Sequence, residues 1–521
     1  MTTSAEATAP GALLDDTTTI WGLLDRRAQA TPDLVLLIDE HGRTETAADL
    51  VTLAEATAAG LLERGVRPGS RVSWQLPTRI DTIVLCLALA RLGVVQNPII
   101  PIYRSREVAS MLRQTGAETL VTPRSFRDFD HEAMAVELAA TSGRALRVII
   151  ADDGLPSGDP AILPPPPVDG DEMRWIYTTS GTTSEPKGVL HSDATLLAGG
   201  RGYRDASGLR PDDVTSMAYP FAHIGGPDTL VAVLSVGIPC VLMEMFTPAA
   251  AVPLFTRHGV TVTGGSTAFY TGFLAQQRTQ PGVPLIPTLR LLTGGGAAKP
   301  PAVFWQVQQE MGVRVAHGYG MTECPMITNG REDDTDEELA NTEGRPVTGA
   351  EVQTRAADGT VLAPGEVGSV WVRGPMLFLG YVTPGDTARA FDQDGWLETG
   401  DLGVLRDTGH LTLVGRSKDV IIRKGENISP REIEDVLQSH PAIAAIALIG
   451  LPDEERGERI CAVLELRPGA EPPTVADVRR YCADAGLAVN KAPEQIEVLD
   501  TLPRTATMKI LKRDLKARFT S

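Results

Sequence analysis

The stretch Tyr177-Thr178-Thr179-Ser180-Gly181-Thr182-Thr183-Ser184-Glu185-Pro186-Lys187-Gly188-Val189 has the composition of a loop that wraps an anion. Its Ser/Thr/Gly run sets hydroxyls beside unencumbered backbone N–H groups, glycine opens backbone angles that other residues resist, and Lys187 adds a point charge. Phosphate is the guest that fits. It is not a Walker A loop, because Pro186 precedes the lysine and Gly188 follows it, where that motif needs Gly-Lys-Ser/Thr opening a helix.

Four further stretches place glycine beside polar or charged groups at expected strand ends. Gly294-Gly295-Gly296-Ala297-Ala298 can bring backbone close to something flat or anionic. Gly318-Tyr319-Gly320-Met321-Thr322-Glu323 brackets an aromatic ring with glycines and ends in a hydroxyl and a carboxylate. Thr399-Gly400-Asp401-Leu402-Gly403 offers a carboxylate on a tight turn, the residue type that grips ribose hydroxyls. Gly415-Arg416-Ser417-Lys418-Asp419 completes the set. Each alone is ordinary turn chemistry.

The elements that must position these turns follow from periodicity. Met173 to Tyr177 reads as a strand entering the first loop and Val189-Leu190 as the strand leaving it. Upstream, a strand at Gly69 to Leu76, an apolar helix at Asp81 to Leu92 and a strand at Val94 to Ile99 predict a parallel sheet covered on both faces. Pro160 to Pro167 interrupts that alternation as a connector. Downstream, strands are expected at Thr215 to His223, Cys240 to Met243, Val260 to Gly264 and Leu289 to Thr293, and a small β-rich subdomain around Val367 to Leu413. From Gly415 to Asp419 the character changes to a compact α+β unit, with Ser429 capping a helix from Arg431, Pro430 at its first position and Glu432 completing a capping box. The fold expected is α/β: a large unit, 1–416, and a small mobile unit, 417–521.

Composition bounds the rest. A chain of 521 residues exceeds one compact core. Its formal net charge of -18 argues against nucleic acid, so an anionic ligand must be held by local cations inside a repulsive overall field. Five scattered cysteines without CxxC spacing support neither a disulfide framework nor a zinc site, and point to a cytoplasmic setting. Met1 to Asp16 lacks the basic start and apolar core of a signal peptide, and no apolar run reaches membrane-spanning length.

In their order and spacing, the five stretches and the tail Pro503-Arg504-Thr505-Ala506-Thr507-Met508-Lys509-Ile510 resemble the adenylate-forming superfamily of acyl-CoA synthetases, luciferases and peptide-synthetase adenylation domains. The likeness covers nearly the whole chain. It implies ATP-dependent activation of a carboxylic acid to acyl-AMP with release of pyrophosphate, then thioester formation with CoA.

Carried over residue by residue, Lys509 would bridge the carboxylate and the α-phosphate as the principal catalytic group. Thr179, Ser180, Gly181, Thr182, Thr183 and Lys187 would hold the outer phosphates, Thr322 would touch the α-phosphate, and Glu323 would ligate Mg²⁺. Tyr319 and Gly320 would meet adenine with Gly295, Gly296 and Ala297 as the other wall, and Asp401 and Arg416 would take the ribose. Lys418 and Asp419 would form the hinge of a rotating C-terminal unit, and Gly425 would line the pantetheine route. His223 in Pro220-Phe221-Ala222-His223-Ile224-Gly225-Gly226 would gate the acyl pocket, where Gly225, Gly226, Gly264, Gly265 and Gly318 leave room for a bulky apolar acid.

Three positions depart from the family pattern: Ser184, Lys424 and Met508 stand where glycine is usual. Two alternatives stay open, adenylation with transfer to a separate carrier-protein thiol or partner ligase, and a non-catalytic nucleotide sensor. The oligomeric state is open too, a dimer included.

Overall fold

The computed structural model describes residues 13–179, 187–423, 426–453, 456–488, 491–505 and 508–520. The expected N-terminal tail therefore lies mostly outside the described residues. Among them no helix is long and apolar enough to cross a membrane.

Strand Arg71–Trp74 pairs in parallel with Val95–Pro98 on one side and Thr119–Thr122 on the other, joined by the helix Ile80–Leu92. Every residue of that helix from Thr82 to Leu92 is buried. A helix apolar all round must be covered all round, which explains the absence of a polar face in its Leu/Ala run. These strands belong to a seven-stranded sheet that also takes in Met173–Thr179 (β1) and Lys187–Ser192 (β2), an antiparallel pair with Thr179 opposite Lys187. The expected strand–loop–strand around the Ser/Thr/Gly run is thus present up to its two mouths.

The second sheet has nine strands, and its centre is parallel. Thr215–Met217 is shorter than expected: the chain leaves the sheet at Ala218 and runs through Pro220 into the buried helix Gly225–Val236 (α1). Proline cannot donate to a ladder, so His223 sits on the connection rather than on a strand. Val262–Gly265 (β3), Leu291–Gly294 (β4) and Arg314–Met321 (β5) lie side by side in parallel, and β5 turns back into Cys324–Asn329 (β6). The stretches Gly294–Ala298 and Gly318–Glu323 therefore share the carboxyl edge of this sheet, where open α/β sheets bind ligands.

The two-residue strand Gly380–Tyr381 (β7) falls between the second and third strands of a four-stranded antiparallel sheet, whose last strands are Leu397–Leu405 (β8) and Leu411–Arg416 (β9). The final unit packs the helices Pro430–Leu437 (α2) and Val475–Asp484 on one face of a sheet and Lys512–Phe519 (α3) on the other. In its strand Ile443–Asp453, Ile446 and Leu448 face the first layer while Ala447, Ile449 and Leu451 face the second. Burial on both sides accounts for the unbroken apolar run.

The capping box expected at Ser429 does not form. Ser429 makes no side-chain bond to its own helix; its hydroxyl donates to the Val414 carbonyl, and Glu432 pairs with Lys491. A tertiary acceptor has displaced the local one.

Candidate active site

At the carboxyl edge the backbones approach too closely for side chains. A Cβ on Gly264 would lie 1.8 Å from the Thr293 carbonyl oxygen, one on Gly294 would lie 2.5 Å from that of Gly265, and one on Gly295 2.5 Å from that of Gly318. Gly296, at φ +79°, borders open space instead, so a flat group can lie against the turn there. Ala297 follows, its carbonyl accepting from His317 Nε2 at 2.9 Å. Burial, with Lys299 behind it, pulls His317 down to about 3, so the ring is neutral and carries its proton on Nε2.

Tyr319, on β5, donates its hydroxyl to Asp401 Oδ2 at 2.5 Å, and Arg416 Nε reaches Asp401 Oδ1 at 2.8 Å. Asp401 on β8 and Arg416 on β9 are directly opposed in the ladder, which fixes this corner by backbone register. The tight turn expected here is part of β8 instead: Gly400 takes a left-handed φ of +75° within the strand, and Thr399 Oγ1 accepts the Asp401 N–H at 3.1 Å. Burial and Asp401 together drive the Tyr319 phenol well above its usual range, keeping it a donor.

Lys509 reaches this corner from the far end of the chain. Burial and the Arg416 charge pull its ammonium down to about 8, against Asp401 and Asp419, so it stands in the field of the residues that would hold the ribose. By surface area Lys509 is exposed, so water screens part of that pull. A tight turn presents it: Thr505 N–H donates to the Lys509 carbonyl at 2.7 Å, Met508 N–H to the Thr505 carbonyl at 2.9 Å, and Lys509 N–H to Thr505 Oγ1 at 3.1 Å. Met508 sits at φ +67°, in the left-handed region, which gives the departure from glycine at this position a physical meaning.

The third corner surrounds Glu323. Tyr381, on β7, donates to Glu323 Oε1 at 2.8 Å, and Lys187 Nζ lies 4.9 Å over the Tyr381 ring and 3.5 Å from Asp386. Burial raises the Glu323 carboxyl against Tyr381, Arg416 and Lys187. A buried carboxylate oxygen is a hard ligand of the kind a divalent ion shares with phosphates, and the nearby Lys187 and Arg416 charges suit the phosphates rather than the ion. Thr322 accepts His191 Nε2 at 2.7 Å through its carbonyl, and burial holds His191 neutral at about 4. Tyr381 and His191 carry no local motif; the Gly-Tyr pair at 380–381 is the one hint, far from Glu323 in sequence. Gly320 is required where the hairpin folds back, since its Cβ would lie 2.0 Å from the Pro325 carbonyl oxygen. Ser180, Gly181, Thr182, Thr183 and Gly425 lie outside the described residues, as do Ser184 and Lys424.

On the acid side, Gly225 N–H donates to His223 Nδ1 at 3.3 Å, and burial pulls the ring to about 4, so the proton sits on Nε2. No hydrogen bond among the described residues ties His223 to the nucleotide corners. Four of the five glycines expected to open this pocket are filled by neighbours. A Cβ on Gly226 would lie 2.1 Å from the Phe221 carbonyl oxygen, one on Gly264 meets Thr293, one on Gly265 would lie 2.9 Å from the Phe269 ring, and one on Gly318 2.5 Å from Asn329 Oδ1. At the fifth, Gly225, a Cβ would lie 3.6 Å from His223 Nδ1, in ordinary van der Waals contact, so none of the five borders open volume. At the expected hinge, Ser417 N–H and Oγ both donate to the Gly400 carbonyl, at 3.1 and 3.0 Å, and Asp419 N–H to Arg416 at 3.1 Å.

The model of the AMP-binding enzyme family matches residues 24–382, and that of the AMP-binding enzyme C-terminal domain matches 432–509. The medium-chain fatty-acid–CoA ligase of Escherichia coli is 32% identical over 516 residues, covering 95% of this chain and 90% of that protein. The salicyl-AMP ligase / salicyl-S-ArCP synthetase of Mycobacterium tuberculosis is 32% identical over 508 residues, covering 94% and 89%. Among solved structures, ATP-bound MatB from Rhodopseudomonas palustris superposes with a TM-score of 0.87 at 26% identity, covering 97% of this chain and 99% of that one.

Proposed function

The chain belongs to the AMP-binding enzyme family, and from that premise we propose that it is an AMP-forming acid:CoA ligase acting on a bulky apolar carboxylic acid. The observation that carries this reading is the corner in which Tyr319 and Arg416 hold the two oxygens of Asp401 across the β8–β9 register, with the Lys509 turn in its field. In the first step a carboxylate oxygen attacks the α-phosphorus of ATP and pyrophosphate leaves. Both reactants are anionic, so the ammonium of Lys509 lies between them and stabilises the charge that gathers on the α-phosphoryl oxygens.

Asp401 and Arg416 orient the ribose, the Gly295–Ala297 turn and Tyr319 enclose the base, and Lys187 with the loop before it receives the outer phosphates. Glu323 would hold Mg²⁺, which when bound neutralises phosphate charge. In the second step the thiol of CoA gives up its proton, its sulfur attacks the acyl carbon, and AMP leaves. Lys418 and Asp419 lie where the C-terminal unit, 417–521, would turn to admit that thiol. A cytoplasmic setting is supported by five buried cysteines without a disulfide.

The neutral His223 beside Gly225 supports an uncharged acyl group, and the fatty-acid and salicyl substrates named for the two relatives support a sizeable one. Acid-dependent exchange of labelled pyrophosphate into ATP, run with acetate, octanoate, salicylate and 1-naphthoate, tests the first step. Exchange with the larger acids, lost in Lys509→Ala, is expected; preference for acetate refutes the assignment of substrate class. Adding CoA should yield the thioester. The salicyl relative favours a second reading, in which a carrier-protein thiol replaces CoA; adenylate formation with CoA left unacylated would select it.

A further inference from the structure

The unit that carries Lys509 docks on β9. Ser429, at the head of α2, gives its hydroxyl to the Val414 carbonyl. Two residues on, Arg431 Nη2 lies 2.5 Å from Glu343 Oε1, with only 16% and 5% of the two side chains exposed. The second oxygen of Glu343 accepts the Leu413 N–H at 2.8 Å, and the Glu343 N–H donates to the Leu411 carbonyl at 2.8 Å. One carboxylate thus grips β9 with one oxygen and the C-terminal unit with the other. The strand it grips ends in Arg416.

The same helix leads to Lys509. Glu434, one turn after Arg431, accepts the Leu448 N–H at 2.6 Å and pairs with Lys512 Nζ at 2.7 Å, three residues past Lys509. Asp435, 3.8 Å from Arg431 Nε, is a poor substitute for Glu343, since burial lifts its carboxyl to about 6. Lys299, 3% exposed and bonded to the Ala340 carbonyl at 2.6 Å, adds a second cation beside Glu343.

A buried ion pair is a weak source of stability, because two charges must leave water to form it. An apolar contact would hold these units together as firmly. Charges differ in two respects: they fix one register, and each rehydrates readily when the joint opens. We propose that Glu343 and Arg431 are positioning residues for the adenylation step: their ion pair sets α2 on β9, holds the Lys509 turn over the Asp401–Arg416 corner, and parts when the unit turns for the thiol step. This rests on the two-step ligase reading above.

The test separates the half-reactions, using an acid that supports exchange in the wild type. Arg431→Met should lower kcat for pyrophosphate exchange by about 10- to 100-fold, the scale of a small misplacement of a catalytic group. The KM for ATP should stay within about twofold, since the nucleotide corners are untouched. Thioester formation from supplied acyl-adenylate and CoA should keep its rate. Arg431→Lys, which retains a charge, should recover part of the exchange. The double variant Glu343→Met, Arg431→Met fills the joint without charge; it should melt no lower than the wild type and still exchange slowly, which separates lost register from lost fold. Undiminished exchange in Arg431→Met, or equal loss of both half-reactions in the folded double variant, overturns the proposal. A wild type without exchange for any acid removes the ligase reading itself.

Discussion

Lys509 is useful only as an ammonium, and its surroundings limit the pH at which it is one. Burial and Arg416 bring its pKa down to about 8, so the charged fraction falls as pH rises through that value. Because kcat/KM for ATP reports the free enzyme, that ratio should decline on its alkaline side with a midpoint near the same value. Lys509→Arg, charged at every accessible pH, should be slower but flat there. A wild-type profile that stays level well above the midpoint would sever this link. The neighbouring Met508 bears a separate cost: its left-handed backbone at φ +67° is unfavourable for an L residue by about 1–2 kcal/mol. Met508→Gly removes that cost but loosens the unfolded chain, so its thermal stability should match or slightly exceed the wild type. Met508→Val, branched at Cβ, should destabilise by at least about 1 kcal/mol. Equal melting of the two variants would mean the turn is not held as described.

The element that joins these residues is β9 and the turn after it. Ser417 closes onto Gly400, and both Asp419 and Val420 donate to the Arg416 carbonyl, so the proposed hinge is an ordered turn in this arrangement. Lys418→Pro fixes φ at the hinge and restricts Ser417 before it. Adenylate formation should survive and the thioester step should fall by about tenfold or more, as expected where a few residues absorb a rotation; equal loss of both would argue that no rotation occurs there. Elements like this one are legible in sequence where strand ends leave a local pattern: the strands meeting at Thr179 and Lys187 are where spacing puts them, whereas the tight turn expected at Thr399–Gly403 is instead part of β8. What local pattern cannot carry is a pair made by tertiary approach. Tyr381 meets Glu323 across 58 residues and Arg431 meets Glu343 across 88, with no periodicity to announce either. The same limit explains Ser429, whose local cap lost to Val414, and the acid-side glycines, which answer to neighbouring backbone and rings more than to open volume.

At the scale of the molecule, a chain of formal charge -18 handles a polyanion. Lys187 and Arg416, which both act on Glu323, and Lys509 beside Arg416 supply favourable charge at the proposed site, while the rest of the surface repels ATP and CoA as they approach. The two contributions respond differently to salt. The repulsion acts over distances beyond the Debye length, about 10 Å at 0.1 M, and is screened first; the site cations act at contact, partly buried, and are screened least. Raising ionic strength from about 0.01 to about 0.15 M with a non-binding salt at fixed free Mg²⁺ should therefore raise kcat/KM for ATP by about two- to tenfold. The kcat, set after ATP is bound, should hardly move. A steady fall of kcat/KM over that range would show that attraction at the site already governs the encounter, and that the acidic surface plays no part in how nucleotide arrives.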